Sequence, residues 1–145
     1  MWGAAADGEK VYVPLSDWNV TDPAMGGGLF ALRIATGEKA WYRAPEKPSC
    51  AGKSGCTPPQ MAPATVIPGV VFSGSMDGHL RAYNTNDGTV LWDFDTARDF
   101  ETVNGVKAKG GSMSAVVSGG LLFVNSGYGH FGGMPGNVLL AFGAE

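Results

Sequence analysis

The sequence is short of charge. Asp, Glu, Lys and Arg make up 16% of its 145 residues, against about 25% in an ordinary soluble domain. It also lacks the bulk of Ala, Glu, Lys and Leu that coiled coils and helical bundles require, and no segment repeats at a helical period. No apolar run approaches the ~18 residues of a membrane-crossing helix. Basic residues are not in excess, and the net charge of −3 gives no electrostatic reason to expect nucleic acid. No G-x-S-x-G or Walker pattern occurs.

Only two cysteines are present, Cys50 and Cys56, in a loop rich in Gly, Ser, Lys and Pro. A disulfide there would close a small ring and contribute about 2–3 kcal/mol in the chain-entropy model. It would also indicate an oxidising compartment such as a periplasm. Two free thiols, or half of a metal site, are the alternatives. A C-x5-C pair without partner cysteines is not a zinc spacing.

Glycine, by contrast, is plentiful at 23 residues, with 9 prolines. Hydrophobic residues make up 44%, enough to build a core. Short strands joined by glycine turns fit this composition. The chain also repeats itself. Ala31, Gly37 and Trp41 align with Ala82, Gly88 and Trp92 at an offset of 51 residues, and Val138–Phe142 repeats the strand that begins the motif. Runs beginning at Lys10, Gly69 and Gly120 are apolar on both faces, which suits sheets buried on both sides. In the second unit the strands read as Met61–Ile67, Val70–Ser75, His79–Asn84 and Thr89–Phe94, separated by Pro68-Gly69, Asp77-Gly78 and Asp87-Gly88.

Four-stranded units at a period of about 40–50 residues indicate a β-propeller. The fold expected is all-β: about three four-stranded blades, roughly 1–46, 57–97 and 108–145, the last without its outer strand. In this setting the glycine makes the turn between third and fourth strands. The Trp lies across to the next blade, and the small Ala leaves room for it.

The stretch Ala82–Trp92 resembles the tryptophan-docking motif of the pyrroloquinoline quinone (PQQ) repeat; the first copy departs from it at Arg33. Phe72–Tyr83, Trp92–Gly105, Asn125–Gly129 and Gly136–Phe142 are more specifically similar to polyvinyl-alcohol dehydrogenase-like quinoproteins. The resemblance implies a ring of seven or eight blades, with this chain its C-terminal part: Glu145 a true C-terminus, Met1 an arbitrary start within the ring. It implies a PQQ-dependent alcohol dehydrogenase that oxidises an alcohol by hydride transfer, passes electrons to a cytochrome c, and uses calcium as Lewis acid. The family's stacking tryptophan and adjacent-cysteine disulfide have no counterpart here. A non-catalytic propeller that scaffolds protein assembly is the alternative.

Strand order alone places the short turns on one face of the disc and the long connections, 16–27, 44–59, 95–111 and 125–136, on the other. Elaborated loops on a rigid scaffold are where sites usually lie. The 95–111 loop is the densest in chemistry. Arg98, Asn104 and Lys109 could bind the carboxylates of PQQ, and Asp99 could serve as base or ligand. A plain solvated loop is the competing reading. Other signals are weaker. Trp2 could reach the central channel or pack between blades, and Trp18 could be a surface contact. His79 and His130 share the 51-residue offset but lack a third metal ligand. Gly127–Gly132 matches G-x-G-x-x-G without a following helix, which excludes dinucleotide binding. Asn19-Val-Thr21 is a glycosylation pattern.

Overall fold

The computed structural model describes residues 3–17, 27–50, 52–111, 113–127, 129 and 132–143. Trp2, Trp18, the Asn19 pattern and His130 lie outside them. The described residues contain no α-helix, hence none long and apolar enough to cross a membrane. Among the described residues, thirteen strands form three blade-like sheets and one hairpin. The first sheet is β1 (Ala5–Ala6), β2 (Lys10–Leu15), β3 (Gly28–Arg33) and β4 (Lys39–Arg43). The second is β5 (Thr65–Ile67), β6 (Val70–Gly74), β7 (His79–Asn84) and β8 (Val90–Asp95). The hairpin β9 (Asp99–Val103) and β10 (Val106–Lys109) follows. The third sheet is β11 (Met113–Ser118), β12 (Leu121–Ser126) and β13 (Val138–Gly143). Each sheet is an antiparallel meander in chain order, so the chain is a stretch of β-propeller with two four-stranded blades and a three-stranded sheet.

The repeated residues hold equivalent places. Ala31 faces Trp41 across β3 and β4, and Ala82 faces Trp92 across β7 and β8. In both pairs the register slips by one residue immediately afterwards, at the approach to the glycine turn. Trp41 shows what the motif does. Its indole Nε1–H donates to the Thr85 carbonyl of the next blade at 2.9 Å, and the residue is buried. The ring lies against Gly88, where a Cβ would come within 2.7 Å of Trp41 Cε3 and where φ is +73°. Glycine is therefore required twice over, by the turn and by the tryptophan.

The first strands β1, β5 and β11 contact one another in series, which places them on the inner side of the arc. Two cores lie between blades. Tyr12, Leu29, Ala31, Trp41, Ala64, Val71 and Tyr83 join the first blade to the second. Leu80, Met113, Leu122 and Val124, with Phe72 and Trp92, join the second to the third. Adjacent residues Val71 and Phe72 thus point into different cores, as the period of a strand demands. This explains runs that are apolar on both faces.

Candidate functional site

The short turns, at 7–9, 34–38, 68–69, 85–89 and 119–120, lie on one face of the sheets; the remaining connections gather on the other. The densest of these, expected as a loop, is largely the β9–β10 hairpin. Asn104 and Gly105 form its tip with φ of 50° and 77°. Two successive positive φ values are the geometry of the Asn-Gly hairpin turn, whose twist matches that of the strands. This dipeptide was the sequence signal for the hairpin.

The base of the hairpin is pinned to both flanking blades. A relay of hydrogen bonds runs from the Gly111 N–H to Ser126 Oγ (2.9 Å), from that hydroxyl to Thr96 Oγ1 (2.8 Å), and from Thr96 to the Gly78 carbonyl (2.8 Å). The Gly110 N–H donates to the Arg98 carbonyl at 3.0 Å, and the Asn137 N–H donates to the Lys109 carbonyl at 2.7 Å. A Cβ at Gly110 would fall 1.7 Å from the Thr96 carbonyl oxygen, so only glycine lets these chains approach.

Beside this base is an open cleft of about 370 Å³, lined by Lys53, Ser54, Ala97, Lys109, Gly110, Met134 and Pro135. Three connections of the long-loop face build it. One is held by the Cys50–Cys56 disulfide, which packs with Ala97 and Met134. Of the four residues singled out from the sequence, Lys109 alone is among its lining residues. Asp99 is the register partner of Lys109 across the hairpin. Arg98 lies with its guanidinium 4.7 Å from the Phe94 ring centre and 5.1 Å from that of Phe100, a cation–π arrangement. Asn104 stands at the tip, exposed to solvent.

The chemistry of the cleft suits one end of PQQ. Two ammonium groups, Lys53 and Lys109, match an anionic edge, and Ala97, Met134 and Pro135 offer apolar surface to a planar ring. Lys53 and Ser54 were not anticipated, because their approach to Lys109 depends on how two distant connections meet. No group of three His, Cys, Asp or Glu side chains that could hold a metal occurs among the described residues.

A second polar cluster lies toward the outer strands of the second blade. Arg81 donates to Asp77 Oδ2 (3.0 Å), to Ser75 Oγ (2.9 Å) and, through Nε, to Asp93 Oδ2 (3.1 Å). The Arg81 and Asp77 side chains are only 5% and 1% exposed. Burial works against the arginine's charge, but Asp77 and Asp93 outweigh it and hold the guanidinium above its ordinary pKa. Ser75 also donates to Asp77, whose carboxylate caps the turn by accepting from the His79 N–H at 2.9 Å. His79 Nδ1 lies 2.6 Å from Asp93 Oδ1, and its Nε2 lies 2.7 Å from Ser49 Oγ.

No protein-family model matches the chain. It is 43% identical over 157 residues to a polyvinylalcohol dehydrogenase of Pseudomonas sp, and 38% identical over 160 residues to a polyvinylalcohol dehydrogenase of Sphingopyxis sp. (strain 113P3). Each alignment covers 99% of this chain and 24% of the relative. A 1-butanol dehydrogenase (cytochrome c) of Thauera butanivorans is 31% identical over 103 residues, covering 69% of this chain and 15% of the relative. The chain thus spans at most about a quarter of the length of these curated relatives. Among solved structures, the quinohemoprotein alcohol dehydrogenase ADHIIG of Pseudomonas putida HK5 superposes with a TM-score of 0.62 at 22% identity, over 98% of this chain and 18% of that one. BamB from Moraxella catarrhalis superposes with a TM-score of 0.55 at 21% identity, over 85% of this chain and 33% of that one. These structural likenesses establish the fold.

Proposed function

We propose that this chain, which belongs to the quinoprotein propellers related to polyvinylalcohol dehydrogenase, supplies part of the cofactor-facing loop surface of a PQQ-dependent alcohol dehydrogenase. The observation that carries this reading is 43% identity sustained over 99% of the chain. The cleft is its structural support. Lys53 and Lys109 would hold carboxylates of the cofactor, with Arg98 and Asn104 extending the cationic and amide surface of the hairpin. Asp99 is the carboxylate assigned to take the alcohol proton. When bound, the quinone accepts the hydride equivalent from the alcohol carbon. A cytochrome c as electron acceptor follows the name of the Thauera relative. The Cys50–Cys56 disulfide supports a periplasmic setting, since such bonds persist in oxidising compartments.

The test is calorimetric titration of PQQ into a complete propeller that carries this chain, with and without Lys53→Ala, Arg98→Ala and Lys109→Ala combined. A charge-assisted hydrogen bond contributes about 1.5–3 kcal/mol, so the triple variant should bind at least 100-fold more weakly. Unchanged affinity would remove the site. No binding by the unmodified protein would favour a non-catalytic scaffold.

A further inference from the structure

Three side chains of the outer cluster are arranged as nucleophile, base and orienting acid. A carboxylate can only accept, so in the neutral imidazole the Asp93 contact fixes the proton on His79 Nδ1. That leaves the Nε2 lone pair facing the Ser49 hydroxyl at 2.7 Å. The 2.7 Å serine–histidine contact is within the reach that proton transfer from serine to histidine requires, and the 2.6 Å contact to Asp93 orients the ring. Such constellations recur on unrelated folds and are identified by geometry and role rather than by position in the chain.

Each member is held from behind. Asp93 spends its second oxygen on Arg81, which is buried and anchored in turn by Asp77 and Ser75. His79 begins β7, and its backbone N–H is fixed by Asp77. Ser49 immediately precedes Cys50, whose disulfide-bonded sulfur is packed 3.1 Å from the Asp77 carbonyl oxygen. The serine is exposed, and the imidazole side chain is 15% exposed.

We propose that Ser49, His79 and Asp93 form a second, nucleophilic site that cleaves carboxylic esters, separate from the cleft and independent of PQQ. Ser49 Oγ attacks the acyl carbon while its proton passes to His79 Nε2. Collapse breaks the carbon–oxygen bond to the leaving alcohol, which takes that proton. Water then attacks the acyl-serine by the same route, releasing the carboxylic acid and restoring the serine. Asp93 keeps its contact with His79 Nδ1 throughout. With Ser49 exposed in the connection that follows β4, the site suits an acyl group presented at a surface or on a small activated ester.

The test is active-site labelling of the full chain by a fluorophosphonate, without PQQ, with adducts mapped by peptide mass. Ser54, exposed in the same disulfide loop, is the internal reference. Ser49 should label at least 100-fold faster than Ser54, the low end of what a positioned general base contributes. His79→Asn should abolish that advantage, and Ser49→Ala should abolish hydrolysis of p-nitrophenyl acetate. Equal labelling of the two serines in the unmodified protein would overturn the proposal, whatever the outcome of the PQQ titration.

Discussion

Two charged regions of the long-loop face solve opposite problems. In the second blade, Asp77 and Arg81 are almost fully enclosed and pair with each other. In the β9–β10 hairpin, Arg98, Asp99, Glu101, Lys107 and Lys109 stand in solvent on a ribbon held mainly at its base. The difference teaches that density of charge along the chain and organisation of charge in space are separate properties. Buried charges must be matched one by one. Exposed ones need no partner, which leaves them available to a ligand.

The sharpest way to break this comparison is to remove one cation from each region. Arg81→Met leaves Asp77 enclosed without its partner and should lower stability by about 3–5 kcal/mol. Arg98→Met removes only an exposed cation–π contact and should cost less than about 1 kcal/mol. Urea unfolding of the two variants measures both. Equal losses would show that the hairpin is as tightly integrated as the blade.

A smaller effect separates the hairpin's base from its tip. Gly110→Ala drives a methyl group into the Thr96 carbonyl and should cost about 1–3 kcal/mol. Loss of the relay through Ser126 should speed amide exchange at Gly111. Unaltered exchange there would detach the hairpin's anchoring from the glycine.

A further effect appears at high pH. Burial, the largest influence, raises the Tyr83 phenol from 10.0 to about 12, against the opposing help of Arg81 and Gln60. The folded state thus keeps a proton that the unfolded chain releases. The associated stability is complete below pH 10 and lost as pH rises toward about 12. It is on the order of 3 kcal/mol. Tyr12 is raised too, by burial and then Asp7, so Tyr83→Phe should flatten part of the alkaline limb. An unchanged limb would assign the loss elsewhere.

The architecture was legible because glycine turns and the Ala–Gly–Trp repeat record local geometry. Val70–Ser75 and His79–Asn84 were read to within a residue of β6 and β7. Thr65–Ile67 is shorter than the Met61–Ile67 expected, since Pro63 lacks the N–H a strand would use. The hairpin was readable in Asn104-Gly105 but was hidden by reading 95–111 for its charges. The Ser49–His79–Asp93 arrangement was not legible. Ser49 reaches His79 across 30 residues, and Asp93 lies diagonally across β7 and β8, where His79 is paired with Asp95.

The two inter-blade cores have a consequence for how disturbance spreads. They share no buried residue, and the second blade belongs to both, through Val71 and Tyr83 on one side and Leu80 on the other. Packing between the sheets themselves is therefore nearest-neighbour, and coupling carried by these cores from the first blade to the third passes through the second; the disulfide loop, packed against Met134, is a separate contact at the loop face. A cavity made at Trp41 should loosen amides in the first two blades while β12 keeps its protection. Range of influence, rather than total stability, is what the tryptophan sets.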